Sequence, residues 1–338
     1  MTAPFALQPM LARLAQGAEL TEDEAEKLFE AIVAGAASPA QIGGSLMALA
    51  ARGETVEELT AAIRVMRRHL LPISGGADAV DCCGTGGDGH GTLNISTAVA
   101  FVVAASGVPV AKHGNRAASS RSGAADVLGA LGIGIASPAQ AEHMLKAYGL
   151  TFMFAPNHHP AMRAVGPIRS ELGFRTLFNL AGPLSNPAGT IRQLVGVYDP
   201  RWLEPVAEAL KRLGSVSVWV VHGSDGLDEL TITGPSEVAI LANGTVERRT
   251  VTPEDAGLPR ASLADIQGGD PAENAAALLR LLDGETGAYR NIVLLNAAAA
   301  LIVAGKAVNL HAGVALAAEA IDSGRARALL VRLTQEMK

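Results

Sequence analysis

The run Asp81-Cys82-Cys83-Gly84-Thr85-Gly86-Gly87-Asp88-Gly89 places four glycines within six residues, directly after an apolar strand candidate. Glycine lets a backbone turn through positive φ and approach a ligand closely. Successive bare N–H groups can then form a nest for an anion. The run is not a P-loop, since no Gly-Lys-Ser/Thr follows. By itself it reads as a plain surface turn. The next segment, Thr92-Leu93-Asn94-Ile95-Ser96-Thr97, leads into an apolar helix. Its helix N-terminus offers a second anion seat, or an ordinary N-cap, or both. Then comes Lys112-His113-Gly114-Asn115-Arg116-Ala117-Ala118-Ser119-Ser120-Arg121-Ser122, with three fixed cations and no acidic residue between Asp88 and Asp126. Such cations and hydroxyls suit a diphosphate and a 5′-phosphate. Asp228-Glu229 follows a strand candidate ending at His222. Adjacent carboxylates there suit Mg²⁺, which prefers oxygen ligands together with substrate phosphates.

Charge is distributed in keeping with this. The chain carries 27 Lys+Arg against 33 Asp+Glu, a net charge of −6. Residues 89–198 hold eight Lys/Arg and three Asp/Glu, and five of the eight histidines. A positive middle in an acidic protein fits a small anionic ligand and argues against general nucleic-acid binding. Two adjacent cysteines provide no disulfide framework and read as buried, reduced thiols. The N-terminal residues lack a secretory pattern, and no continuous apolar run of about 18 residues is present. These features fit a cytoplasmic protein without a membrane span.

The elements that must position these residues fall into two patterns. Thr21–Glu24 and Thr55–Glu58 are capping boxes, and Ser38-Pro39 opens a further helix. The first 70 residues therefore predict four helices and no strand. Pro72–Ala77 reads as a linker. From Ala79 strands and helices alternate: a strand at 79–83, a helix at 94–106, strands at 108–112 and 150–154, with helices from 122 and 138 between. Such βαβ order implies a parallel sheet. Strands are also predicted at 193–198, 216–222 and 237–242. The segment 166–190, with Pro167, Pro183 and Pro187, breaks the alternation and is assigned to the helical side. From Pro271 the chain is Ala/Leu-rich helix. The reading is an α/β fold: a helical domain of residues 1–72 plus about 166–190, and a large domain of 78–165 and 191–338 with a central, mostly parallel sheet.

Taken together, G-T-G-G-D at 84–88, N-I-S-T at 94–97, K-H-G-N-R at 112–116 and the Ser119-Ser120 pair form an ordered set. Phe154-Ala155-Pro156 with His159, Pro167-Ile168-Arg169, and Arg175-Thr176-Leu177-Phe178-Asn179 extend it, as do Gly182-Pro183-Leu184, Asn186-Pro187, Asp228-Glu229 and Asn296-Ala297-Ala298. Over nearly its whole length the chain resembles the anthranilate phosphoribosyltransferase family. The resemblance implies a homodimer and transfer from phosphoribosyl diphosphate (PRPP) to anthranilate with Mg²⁺, giving N-(5-phosphoribosyl)anthranilate and diphosphate. It implies that Gly84, Gly87, Asp88, Thr92, Asn94, Ile95, Ser96, Thr97, Lys112, His113, Gly114, Asn115, Arg116, Ser119 and Ser120 contact PRPP. It gives anthranilate to Gly84, Asn115 and Arg169, and Mg²⁺ to Ser96, Asp228 and Glu229.

An aromatic amine is already neutral at pH 7, so no general acid or base is assigned. The sequence departs from the family pattern in Cys82-Cys83, which stands for an apolar pair, and in Ala124, which removes one hydroxyl near the phosphates. His90 lies in a variable part of the loop and receives no role. Two other activities stay open at this point: pyrimidine nucleoside phosphorolysis on a related fold, and nucleic-acid binding by a non-catalytic relative.

Overall fold

The computed structural model describes residues 7–116 and 121–337. Four helices come first: α1 (Gln8–Leu14), α2 (Glu22–Val33), α3 (Pro39–Arg52) and α4 (Val56–His69). Reciprocal capping boxes open α2 at Thr21/Glu24, α3 at Ser38/Gln41 and α4 at Thr55/Glu58. Each satisfies two backbone donors that the helix start leaves unpaired. The Glu58 carboxylate is fully buried. It accepts from the Leu20 and Thr55 backbone N–H groups and from Arg52, so the cap also joins neighbouring helices.

The alternating part follows: β1 (Val80–Gly84), α5 (Ile95–Ala105), β2 (Val110–Gly114), α6 (Ala124–Ala130), α7 (Pro138–Tyr148) and β3 (Leu150–Phe154). The crossing segment holds α8 (Ala155–His158), α9 (Val165–Leu172) and α10 (Leu177–Ala181). The chain then returns to the sheet with β4 (Arg192–Gly196), α11 (Leu203–Arg212), β5 (Ser217–Gly223), β6 (Ser236–Ala242) and β7 (Thr245–Val251). It ends in α12 (Pro271–Leu282), α13 (Ala288–Val303), α14 (Leu310–Asp322) and α15 (Arg325–Glu336).

The seven strands run in the order β3-β2-β1-β4-β5-β6-β7. The pairings from β3 to β5 are parallel, and β6 and β7 are antiparallel. Strand β7 is not among the strands predicted from sequence. Its signal was present in Asn243-Gly244, which both take positive φ (50° and 76°) and close a tight hairpin.

Successive strand residues point to opposite faces. Cys82, Leu194, Trp219 and Val221 therefore join one core with α5 and α12–α15. Cys83, Val195, Val218 and Val220 join a second core with α1–α4, α10 and α11. The two cysteines are free and face opposite ways. Burial pushes the Cys82 thiol up to about 12, so it stays protonated and inert. The crossing segment packs on the N-terminal helices: α9 lies against α3, and α10 against α4. Arg67 of α4 donates through Nε and Nη2 to the Leu184 carbonyl (3.2 and 2.9 Å). No helix among the described residues is long and apolar enough to cross a membrane.

Candidate active site

Strand order fixes where the site lies. β1 leads through α5 to β2 on one side, while β4 leads through α11 to β5 on the other. The crevice beyond the carboxyl ends of β1 and β4 is the topological switch point, where open α/β sheets bind ligands. Gly84 ends β1 and pairs with Gly196, which ends β4. Both are pressed against Asp228. A Cβ on Gly84 would lie 2.2 Å from Asp228 Oδ2, and one on Gly196 would lie 1.5 Å from the Asp228 carbonyl oxygen. Two glycines are thus what admit this loop to the strand ends.

The glycine loop is tied down from several directions. Gly86 N–H donates to Asp228 Oδ2 (2.7 Å). Thr85 N–H donates to the Gly196 carbonyl (2.9 Å), and Tyr198 N–H donates to Thr85 Oγ1 (3.1 Å). Arg175 donates to the Gly87 carbonyl. Gly86, Gly87, Gly89 and Gly91 all have φ between +62° and +80°. At the loop's exit, Thr92 bridges to Gln267, whose side chain donates to the His90 and Gly91 carbonyls (3.1 and 2.8 Å).

Asn94 occupies the N-cap of α5 but does not cap it with its side chain. Its amide donates instead to the Ser122 carbonyl (3.1 Å), and its Oδ1 accepts from Asn274 (2.8 Å). The first turn of α5 is therefore not closed by its own cap residue, and the Ser96 backbone N–H is directed at Glu229. Ile95 and Thr97 are buried, with the Ile95 side chain in the apolar core. Ile95 therefore has its backbone, not its side chain, to offer a ligand.

The carboxylates here hold protons more tightly than usual. Burial, and then the neighbouring Asp88, push Asp228 up to about 6. Burial, and then Asp228, push Glu229 well above the usual carboxylate range. Lys112 is read from sequence as a phosphate contact. It is buried, with Nζ donating to the Cys82 carbonyl (2.7 Å), and its charge partly offsets Asp81, Asp228 and Glu229. Crowded oxygen donors with raised affinity for protons are what a hard divalent cation satisfies. Among the described residues no three His, Cys, Asp or Glu side chains form a metal cage. Mg²⁺ fits a pair of carboxylates because it commonly takes its remaining ligands from water and substrate phosphates.

The remaining candidates line a second region. Arg169, on α9, is half-buried, and its Nη2 donates to Asn179 Oδ1 (3.1 Å). Its Nε is buried without a partner, and burial lowers its pKa. An unsatisfied guanidinium edge is suited to a planar carboxylate. His113 and His159 stand with ring centroids 5.1 Å apart, each with a buried, unpartnered Nε2. Burial keeps both neutral, taking His159 down to about 4 and His113 well below its ordinary value. Asn115 and Arg116 are exposed at the end of β2, where Asn115 Oδ1 accepts from Arg116 N–H (2.8 Å). Gly114, just before them, lies against Ala124, whose Cβ is 3.5 Å from where a Gly114 Cβ would be. Ser119 and Ser120 lie outside the described residues.

The structure therefore brings Gly84, Gly87, Asp88, Asn94, Ser96, Lys112, Asp228 and Glu229 around one crevice. Arg169 stands on a separate segment, linked to the loop through Asn179, Thr176 and Arg175. Sequence reasoning gave no role to Gly196, Tyr198 or Asp81. A glycine ending a strand is the signal for Gly196, since it marks close backbone approach. Buried Asp81 accepts from His113 N–H (3.2 Å) and Asn186 Nδ2 (2.7 Å), tying the crossing segment to β1 and β2.

Comparison with known proteins agrees with this architecture. Residues 76–327 match the α/β domain of the glycosyl transferase family, and residues 8–70 match its helical bundle domain. The chain is 59% identical over 325 residues to the anthranilate phosphoribosyltransferase of Parvibaculum lavamentivorans, covering 96% of this chain and 95% of that one. The crystal structure of anthranilate phosphoribosyltransferase from Thermus thermophilus superposes with a TM-score of 0.92 at 46% identity, covering 97% of this chain and 98% of that one. The Saccharomyces cerevisiae enzyme in complex with PRPP and Mg superposes with a TM-score of 0.88 at 26% identity, covering 98% and 97%. With its two domains matched and its relatives aligned nearly end to end, the chain belongs to the anthranilate phosphoribosyltransferase family.

Proposed function

We propose that this chain transfers the phosphoribosyl group of PRPP to the amine of anthranilate, releasing diphosphate, with Mg²⁺ as its metal. The observation that carries the reading is the convergence of Asp228 and Glu229 on the glycine loop and the start of α5. There a diphosphate meets backbone donors and metal carboxylates together. Gly84, Gly86 and Gly87 present the loop, Asn94–Thr97 the helix N-terminus, and Asn115, Arg116, Ser119 and Ser120 the remaining polar groups for the sugar phosphate. Asp228, Glu229 and Ser96 would hold Mg²⁺, which supplies positive charge to the departing diphosphate.

In the reaction the C1–O bond to diphosphate breaks and the C1–N bond to the amine forms. The amine's proton leaves to solvent. Arg169 and Asn115 orient anthranilate, and orientation is the larger contribution because the nucleophile needs no base. Neutral His113 and His159 keep the region beside them uncharged, and Lys112 holds the carboxylate pair in balance from below. The domain division proposed here keeps residues 1–72 and about 166–190 as the helical unit, with 78–165 and 191–338 as the α/β unit. The packing of α9 and α10 on α3 and α4 supports it. A homodimer through the helical unit goes with it, with Met47 of α3, which is 49% exposed, as an apolar residue such a contact would cover.

The test is the loss of anthranilate fluorescence on mixing with PRPP and Mg²⁺. Turnover dependent on all three is the expected result. No turnover, or phosphorolysis of thymidine or uridine in its place, overturns the reading.

A further inference from the structure

We propose that Arg175 is a positioning residue that latches the glycine loop in the conformation that receives the PRPP diphosphate; this rests on the function proposed above. Arg175 is exposed, yet three contacts fix its guanidinium. It donates to the Gly87 carbonyl. Its Cζ lies 3.9 Å from the Tyr198 ring centroid. It also lies close against Gly87, where a Cβ would meet Nη2 at 2.7 Å and Cζ at 3.2 Å. Tyr198 holds the same loop from its backbone, through its N–H on Thr85 Oγ1 (3.1 Å). Arg175 therefore closes a ring from Thr85 through Gly87 and back to Tyr198, at the carboxyl end of β4.

Gly87 lies between Gly86, which donates to Asp228, and Asp88, whose charge raises the Asp228 pKa. A loop with several positive-φ glycines has much backbone freedom to lose on binding. A guanidinium stacked on a ring and bonded to a loop carbonyl removes part of that freedom before the substrate arrives, which is preorganisation. The neighbouring turn also matters. Thr176 N–H and Arg169 Nη2 share Asn179 Oδ1 (3.0 and 3.1 Å). The latch thus joins the diphosphate loop to the segment that carries the acceptor arginine.

The test is steady-state kinetics on full-length Arg175→Ala, Arg175→Lys and Tyr198→Leu, varying PRPP and anthranilate separately at saturating Mg²⁺. Loss of a charge-assisted bond and of loop order is expected to raise the KM for PRPP about tenfold in Arg175→Ala. The KM for anthranilate should change less than about twofold, and the melting temperature should stay within about 2 °C, because the side chain is exposed. Tyr198→Leu should raise the same constant, by less. Arg175→Lys keeps the charge but not the planar stack, and should resemble Arg175→Ala more than wild type. Amides of residues 84–91 should exchange faster in all three variants.

An unchanged KM for PRPP in Arg175→Ala overturns the proposal. So does a wild-type-like Arg175→Lys beside a defective Arg175→Ala, which would mark a direct charge contact in place of a latch. If wild type shows no turnover, the functional reading fails instead. The exchange rates of 84–91 then decide the latch by themselves, and rates unchanged by Arg175→Ala overturn it.

Discussion

Replacing Gly196 by Ala tests whether the placement of Asp228 governs turnover. A Cβ at this position would lie 1.5 Å from the Asp228 carbonyl oxygen, 2.3 Å from its carbonyl carbon and 3.1 Å from its Cα. All three atoms are backbone, so no side-chain rotation relieves the overlap. Real Cβ atoms essentially never approach within 3.0 Å, so the Asp228 carbonyl must retreat by about 1.5 Å, a shift a close-packed interior resists. Overpacking of this kind costs roughly 1–3 kcal/mol, which a domain of ordinary stability survives. Catalysis is less tolerant. A misplacement of about 1 Å can cost about 100-fold in rate, so kcat/KM should fall at least about 100-fold, or about 2.7 kcal/mol.

The assay is anthranilate fluorescence decay with PRPP and Mg²⁺, run beside a thermal melt to show that the variant is folded. Gly84→Ala is the internal comparison. Its Cβ would meet Asp228 Oδ2 at 2.2 Å and Cγ at 2.9 Å, atoms of a side chain that can turn. Turning it forfeits the Gly86 hydrogen bond (2.7 Å), so a smaller loss of about tenfold is expected. A folded Gly196→Ala enzyme within threefold of wild type would refute the claim that these strand ends set the position of Asp228.

Three further outcomes follow from the site. Arg169→Ala should raise the KM for anthranilate about tenfold or more and leave that for PRPP nearly unchanged, since a bidentate carboxylate partner is lost; an unchanged anthranilate KM removes Arg169 from the acceptor site. Asp228→Asn combined with Glu229→Gln should abolish Mg²⁺-dependent turnover, and full activity in that double variant would sink the metal assignment. The same carboxylate predicts a pH effect on stability. Asp228 titrates at about 6 in the fold against an ordinary value of 3.8, so the native state binds its proton more tightly and its contribution to stability falls as pH rises from about 4 to about 6. Metal-free Asp228→Asn should therefore match wild type near pH 4 and exceed it above pH 6.5 by roughly 1–3 kcal/mol in urea unfolding. A difference independent of pH would contradict a buried carboxylate that holds its proton more tightly in the fold.

The parts of this molecule that could be read from sequence are those whose causes are local. Thr21, Ser38 and Thr55 start helices because each finds Glu or Gln three residues on, within one turn. The glycine loop and the Asp228-Glu229 pair were visible because their chemistry needs particular residues at short spacing. What escaped depends on register. Lys112 lies under the loop because β2 pairs with both β1 and β3 and is buried on both faces, from Val110 to His113, and no window around residue 112 contains that information. Asn94 carries the composition of a helix cap, yet its amide is claimed by Ser122 and by Asn274, 180 residues away.

That diversion carries the functional sense of the fold. A side chain that capped α5 would satisfy the very donors an anion must find open. Held sideways by α12 and the β2–α6 loop, the Asn94 side chain instead leaves the first turn of α5 uncapped. The same economy appears at Gly84 and Gly196, where the absence of a side chain gives Asp228 its place between the strand ends. The site is built by withholding local satisfaction at three points of the chain and supplying it from distant ones. Its geometry therefore depends on the whole sheet order, while its residue types remain readable in short stretches of sequence.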